Sequence, residues 1–213
     1  MNPHTYSRFI SFEGLDFSGK TTQIHRLIIQ LARHGISAEM LREPGGTPIS
    51  EAIRKMLLDN RNSEMTRRSE TLLFSSARAQ LVEQVLVPRL EGGETIIADR
   101  YVDSTTAYQG YGRQMDGHFI RQLNAFATGG LMPFRTFFLD VSVDESLRRR
   151  RSAGRGTDRM EGTDIAFMHR VRDGFHEIAA ANPGRFLIVN AERPEEKIAA
   201  EIWGEVSRIW QIG

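Results

Sequence analysis

Gly14-Leu15-Asp16-Phe17-Ser18-Gly19-Lys20-Thr21 is a complete GxxxxGK[ST] phosphate loop. It lies between a short apolar run, Phe9 to Phe12, and a stretch in which Ile24, Leu27, Ile28 and Leu31 keep helical spacing until Gly35. Strand, loop and helix in that order are the context the motif requires. A triphosphate needs many donors and little bulk around it. Gly14 and Gly19 allow a tight turn that aims successive backbone amides at the phosphates, and the helix start adds its positive end. Lys20, one of only three lysines in the chain, supplies a point charge for the β- and γ-phosphates, and the Thr21 hydroxyl is suited to hold Mg²⁺. The run Gly14, Leu15, Asp16, Phe17, Ser18, Gly19, Lys20, Thr21 and Thr22 is therefore read as a nucleoside triphosphate site.

Outward from the loop, strand-like runs alternate with helical patterns. Strands are expected at 38–41, 95–98, 135–141 and 186–189. Helices are expected from Pro48 (Ile49, Ile53, Leu57), over 69–87, over 116–128 (Phe119, Ile120, Leu123, Ala127), over 143–151, over 164–181, and from Pro194 onward. That alternation predicts an α/β fold, a three-layer α/β/α sandwich with a five-stranded parallel sheet of the P-loop NTP hydrolase type. Residues 1–213 are read as a single domain. Ligands should gather at the carboxyl ends of the strands.

The formal charge of +1, with 26% charged residues, leaves no global field for nucleic acid or an anionic membrane. Cysteine is absent, which excludes disulfides, thiolate metal sites and a cysteine nucleophile. The opening residues carry no apolar signal core, and no apolar run approaches the roughly 20 residues of a membrane span. A soluble cytoplasmic protein is expected, with no nucleic-acid or membrane partner.

Further segments narrow the choice among nucleotide-binding proteins. Phe74 and Arg78 stand at i and i+4 on one helix face, so a ring and a guanidinium point the same way and can hold a base. Arg100 follows Asp99 at the end of a strand, where an aspartate can fix an arginine rotamer. Arg148, Arg149, Arg150, Arg151, Arg155 and Arg159 form the strongly basic segment, broken by Ser152-Ala153-Gly154 and Gly156, which suits a short mobile lid over about 148–161.

In order, Arg42-Glu43-Pro44-Gly45-Gly46-Thr47, Leu73-Phe74-Ser75-Ser76-Ala77-Arg78, Asp99-Arg100-Tyr101 through Ser104-Thr105-Thr106-Ala107-Tyr108-Gln109-Gly110, and Asp158-Arg159-Met160-Glu161 follow the phosphate loop. The set resembles bacterial thymidylate kinase over nearly the whole chain. The resemblance implies ATP as phosphoryl donor, Mg²⁺, dTMP as acceptor and a homodimer. It implies that Phe74 stacks on thymine, Arg78 bonds its O4, and Thr105 reaches the opposite edge. Arg100 would clamp the acceptor phosphate and Tyr108 would underlie the sugar. Asp16 would meet the acceptor directly or through the metal, and Glu43 and a cis Pro44 would shape the pocket with Ser104 and Gln109. Some members carry an arginine beside the loop aspartate. Phe17 stands there in this chain, so Arg155 is the first candidate for transition-state charge and Arg151 the next. Lys20, Arg100, Arg155 and Asp16 form the catalytic set, and Thr21 and Asp16 the metal set.

Two other readings stay open at this level. A deoxynucleoside kinase would use Glu43 as a base on a sugar hydroxyl. A nucleotide switch or nucleic-acid ATPase would need a base-reading Asn-Lys-x-Asp element, which is absent, or an acidic metal-holding pair at a strand end, which Asp140 alone does not supply.

Overall fold

The apolar run before the loop becomes strand β1 (Phe9–Glu13), buried along its whole length because it occupies the centre of the sheet. The computed structural model describes residues 6–154, 159–160 and 164–213. Among these, β2 (Ala38–Arg42), β3 (Thr95–Asp99), β4 (Arg135–Asp140) and β5 (Phe186–Asn190) join β1 in one sheet ordered β2-β3-β1-β4-β5. Every pairing is parallel. The register sets Phe12 opposite Asp99, and Arg42 opposite Asp99 on the other side. Glu13 and Asp99 therefore end side by side at the carboxyl edge, where such sheets bind ligands.

Helices cover both faces. They are α1 (Lys20–Arg33), α2 (Pro48–Leu58), α3 (Arg67–Leu81), α4 (Val87–Glu91), α5 (Val102–Thr105), α6 (Gly117–Thr128), α7 (Val143–Ala153), α8 (Ile165–Ala181) and α9 (Glu195–Trp210). Strand alternation divides the core. Ile10 and Phe12 share a face with Phe137 and Leu139, while Phe9 and Ile96 point to the other, where Phe138 stacks on Phe175. Buried Ser11 is satisfied by Thr136 at 2.9 Å.

Several elements differ from expectation. The helix foreseen over 69–87 starts two residues earlier behind the Thr66 cap, widens into a π turn at Val82–Leu86, and continues as α4 to Glu91. Pro88 explains the widening, since it has no N–H and its ring crowds the carbonyl one turn back. A second π turn, Thr106–Gly112, follows α5 and had no signal in the periodicity. Ile49 and Phe119, placed on apolar faces by spacing, are 55% and 41% exposed. The proposed break at Ser152 comes later, because α7 runs to Ala153 and ends on left-handed Gly154. Of the lid segment 148–161, residues 155–158 and 161 lie outside the described residues, Arg155 among them.

Candidate active site

Gly14 leaves β1 with φ +135°, and a Cβ there would meet the Leu139 carbonyl of β4 at 2.5 Å, so the loop can form only with glycine. Phe17 is a non-glycine residue at φ 60°, a conformation costing about 1–2 kcal/mol. Helix α1 begins at Lys20 with no side-chain cap and no acid in its first turn, which leaves its N-terminus open to an anion. Lys20 is buried, its Nζ donating to the carbonyls of Leu15 (2.8 Å) and Gly14 (3.2 Å). Burial, then Arg100, pull its pKa down to about 8 against Asp99, Asp16 and Glu13. Thr21 Oγ1 donates to Asp99 Oδ2 at 2.7 Å. Leu15 and Ser18 are buried and Thr22 is exposed.

Asp99, which could have fixed the rotamer of its neighbour Arg100, makes its hydrogen bond elsewhere. It faces Thr21, while Arg100, at φ 75°, turns the other way. Arg100 is held by an ion pair with Asp16, by the Gly14 carbonyl at 3.0 Å and by Ser104 Oγ at 3.2 Å, with its guanidinium 5.2 Å from the Tyr108 ring centre. Burial works to raise the Asp16 carboxyl, but Arg100 and Lys20 outweigh it and leave it below its usual value. Ser104 donates to Glu13 Oε2 at 2.6 Å, so its hydroxyl is engaged with protein groups on both sides.

The second half of the site is built around Arg78. This guanidinium is 2% exposed and donates to Glu43 Oε2 (2.6 Å), Thr105 Oγ1 (2.8 Å), Asn124 Oδ1 (3.4 Å) and the Tyr101 carbonyl (3.0 Å). Arg78 and Thr105 stand in direct contact, so both present polar atoms to the same end of the cleft. Burial raises the Glu43 carboxyl despite Arg78 beside it, and Glu43 Oε1 is buried without a partner. The Glu43–Pro44 peptide is cis.

One cleft, with about 600 Å³ of empty space partly open to solvent, brings together Asp16, Glu43, Pro44, Phe74, Arg78, Arg100, Ser104, Thr105, Tyr108 and Gln109. In and behind this cleft stand residues that sequence reasoning missed. Arg54 of α2 lines it and donates to the Pro44 carbonyl at 3.0 Å. Glu70, 1% exposed on α3, accepts from Gln109 (3.1 Å), Arg113 (3.0 Å) and Arg159 (2.8 Å), which ties the π turn and Arg159 to α3. A glutamate or arginine on an amphipathic helix reads as surface, so neither had a local signal. Arg151 is exposed on α7, whereas Arg150 lines a second cavity with Asp16, Phe17 and Tyr108. The helical rotation between consecutive residues turns Arg151 away from the loop.

A phosphate loop at the carboxyl edge of a parallel sheet, sharing Asp16 and Arg100 with a second cleft, defines a P-loop enzyme with room for a donor nucleotide and an acceptor. The thymidylate kinase family model matches residues 12–202. A thymidylate kinase of Deinococcus radiodurans is 48% identical over 200 residues, 93% of this chain and 96% of that one. One of Desulforudis audaxviator is 45% identical over 206 residues, 95% and 91% of the two. The crystal structure of the thymidylate kinase of Ehrlichia chaffeensis superposes with a TM-score of 0.74 at 33% identity, covering 93% of this chain and 97% of that one. The chain belongs to the thymidylate kinase family, the ATP-dependent nucleoside monophosphate kinases whose acceptor is thymidylate.

Proposed function

We propose that this chain transfers the γ-phosphoryl group of ATP to the phosphate of dTMP, giving dTDP and ADP, through the residues gathered around the cleft. The observation that carries the reading is the contact between the two halves. Arg100 donates to the Gly14 carbonyl of the donor loop and lines the acceptor cleft beside Arg54. In this arrangement the amides of residues 14–22 and Lys20 bind the triphosphate, and Arg100 with Arg54 grips the acceptor phosphate. A phosphate monoester with its second pKa near 6 is mostly dianionic at neutral pH, so no base is needed, and catalysis reduces to alignment and charge neutralisation.

Four of the five N–H groups of Arg78 are taken by Glu43, Thr105, Asn124 and Tyr101, which leaves one to donate to a thymine carbonyl. The Thr105 oxygen beside it can accept from the adjacent ring N–H, and Phe74 one turn away offers a face for stacking. Tyr108 underlies the sugar. Thr21 and Asp99, a hydroxyl and a carboxylate 2.7 Å apart, are hard oxygen donors suited to the Mg²⁺ of MgATP, with Asp16 as the further candidate. The bound ion would neutralise charge on the phosphate oxygens. Arg155 is assigned to transition-state charge on sequence grounds alone. Phe119 and Phe126, 41% and 85% exposed at i and i+7 on α6, support a homodimer through that helix. A cytoplasmic setting, where both substrates are found, belongs to the same reading.

Glu43 argues against the deoxynucleoside kinase alternative, because its Oε2 is engaged by Arg78 in a pair only 3% and 4% exposed. ADP release measured with dTMP, thymidine and a panel of nucleoside monophosphates tests the proposal. Turnover is expected with dTMP, and turnover of thymidine without dTMP would overturn it. In the same assay Arg155→Ala should lower turnover by about 10³-fold with nucleotide affinities intact. An unchanged turnover number removes Arg155 from the role.

A further inference from the structure

We propose that Glu13, the last residue of β1, is a positioning residue for the acceptor, pinning the turn that carries Arg100 and holding that guanidinium against the phosphate loop through Ser104. Glu13 is fully buried. Its Oε1 accepts from the backbone N–H of Tyr101 at 2.7 Å and of Ser104 at 3.3 Å, and its Oε2 accepts the Ser104 hydroxyl at 2.6 Å. The first amide belongs to Tyr101, the residue before the short helix α5, which offers no side-chain cap, and the second to the first turn of that helix, where it also donates to the Tyr101 carbonyl at 3.1 Å. A carboxyl on another strand therefore does the work of a cap.

The residue inside this turn is the one that needs holding. Arg100 sits at φ 75° with a β-carbon, a conformation that persists only where neighbouring groups over-determine it. Its backbone is fixed to the Phe12 carbonyl of β1 at 3.0 Å and its next neighbour to Glu13, while its side chain bonds the Ser104 hydroxyl that Glu13 orients. Glu13 is also the residue that enters the loop, directly before Gly14, whose carbonyl Arg100 reaches. One side chain thus joins the strand that starts the donor loop to the turn that aims the acceptor's arginine. Burial and the Asp103 carboxylate push the Glu13 carboxyl up to about 8, so an uncharged amide is a close stand-in for it.

The inference rests on the dTMP reading for the identity of the acceptor. Calorimetric titration of the full chain with dTMP and, separately, with ATP tests the two apart. Failure of the unaltered protein to bind dTMP would count against the proposed function. Glu13→Ala should weaken dTMP binding by about 10–100-fold, the loss expected for buried donors left unpaired, with ATP affinity changed less than about threefold. Glu13→Gln, which can accept both backbone amides and donate to Ser104, should restore dTMP affinity to within about threefold of the unaltered protein. Should Glu13→Ala fail to fold, Ser104→Ala decides. It cuts the link to Arg100 while leaving both backbone bonds, and should weaken dTMP by about 5–10-fold with ATP unaffected. Equal losses for dTMP and ATP, or Glu13→Gln binding dTMP as weakly as Glu13→Ala, would reduce Glu13 to a core residue and overturn the inference.

Discussion

Two buried glutamates respond to their surroundings with opposite sign. Burial works to raise Glu70, but Arg113, Gln109 and Arg159 outweigh it and hold the carboxyl below its usual value. A group depressed in this way stabilises the fold above the pKa of the unfolded chain, and that contribution is lost as pH falls through the folded value. Glu13 is raised from 4.5 to about 8, so its contribution is complete below 4.5 and disappears as pH rises toward 8. Glu70→Gln should therefore cost about 2–3 kcal/mol at neutral pH, with the gap in Tm closing in strong acid. Glu13→Gln should gain on the unaltered protein between pH 5 and 8. Thermal unfolding of both variants across that range checks the pair, and parallel curves would show that neither carboxyl is linked to folding. The signal for either glutamate is spatial. Nothing near Glu70 in the chain foretells Arg159 or Gln109, and nothing near Glu13 foretells Ser104, because their partners come from other elements.

At the level of elements, the π turn Thr106–Gly112 positions Tyr108 and Gln109, and it packs on α8 where glycines remove the side chains that would intervene. A Cβ on Gly174 would stand 2.6 Å from the Tyr111 ring, and one on Gly112 would stand 2.6 Å from Phe167. Gly174→Ala should destabilise the protein by about 1–3 kcal/mol and raise KM for dTMP more than KM for ATP, since the strained turn belongs to the acceptor side. Denaturant unfolding and steady-state kinetics test this, and an unchanged midpoint would mean that α8 yields without cost. Strands were readable because central parallel strands are continuous apolar runs, as in Ile96 and Ile97. The π turns were not, because a widened turn keeps helical composition and changes only its hydrogen-bond partner.

For the molecule as a whole, the apolar residues Leu81, Val82 and Leu86 of the long helix are buried in the core. The exposed phenylalanines of α6 are the face proposed above for self-association. Phe126→Glu should weaken self-association by about 100-fold in sedimentation measurements. A monomeric unaltered protein, or a variant that stays dimeric, would remove α6 from the interface. The class of fold and the donor loop are written in the sequence, because a glycine-lysine turn between a strand and a helix has one geometry and alternating strands and helices have one handed way to pack. The cleft proposed for the acceptor is lined by Arg54, Glu43, Arg78, Arg100 and Tyr108, which stand on five separate segments. Only packing of the sheet and its helices brings these groups together, and so only the tertiary structure decided that Arg78 would meet Glu43 and Arg100 would meet Asp16.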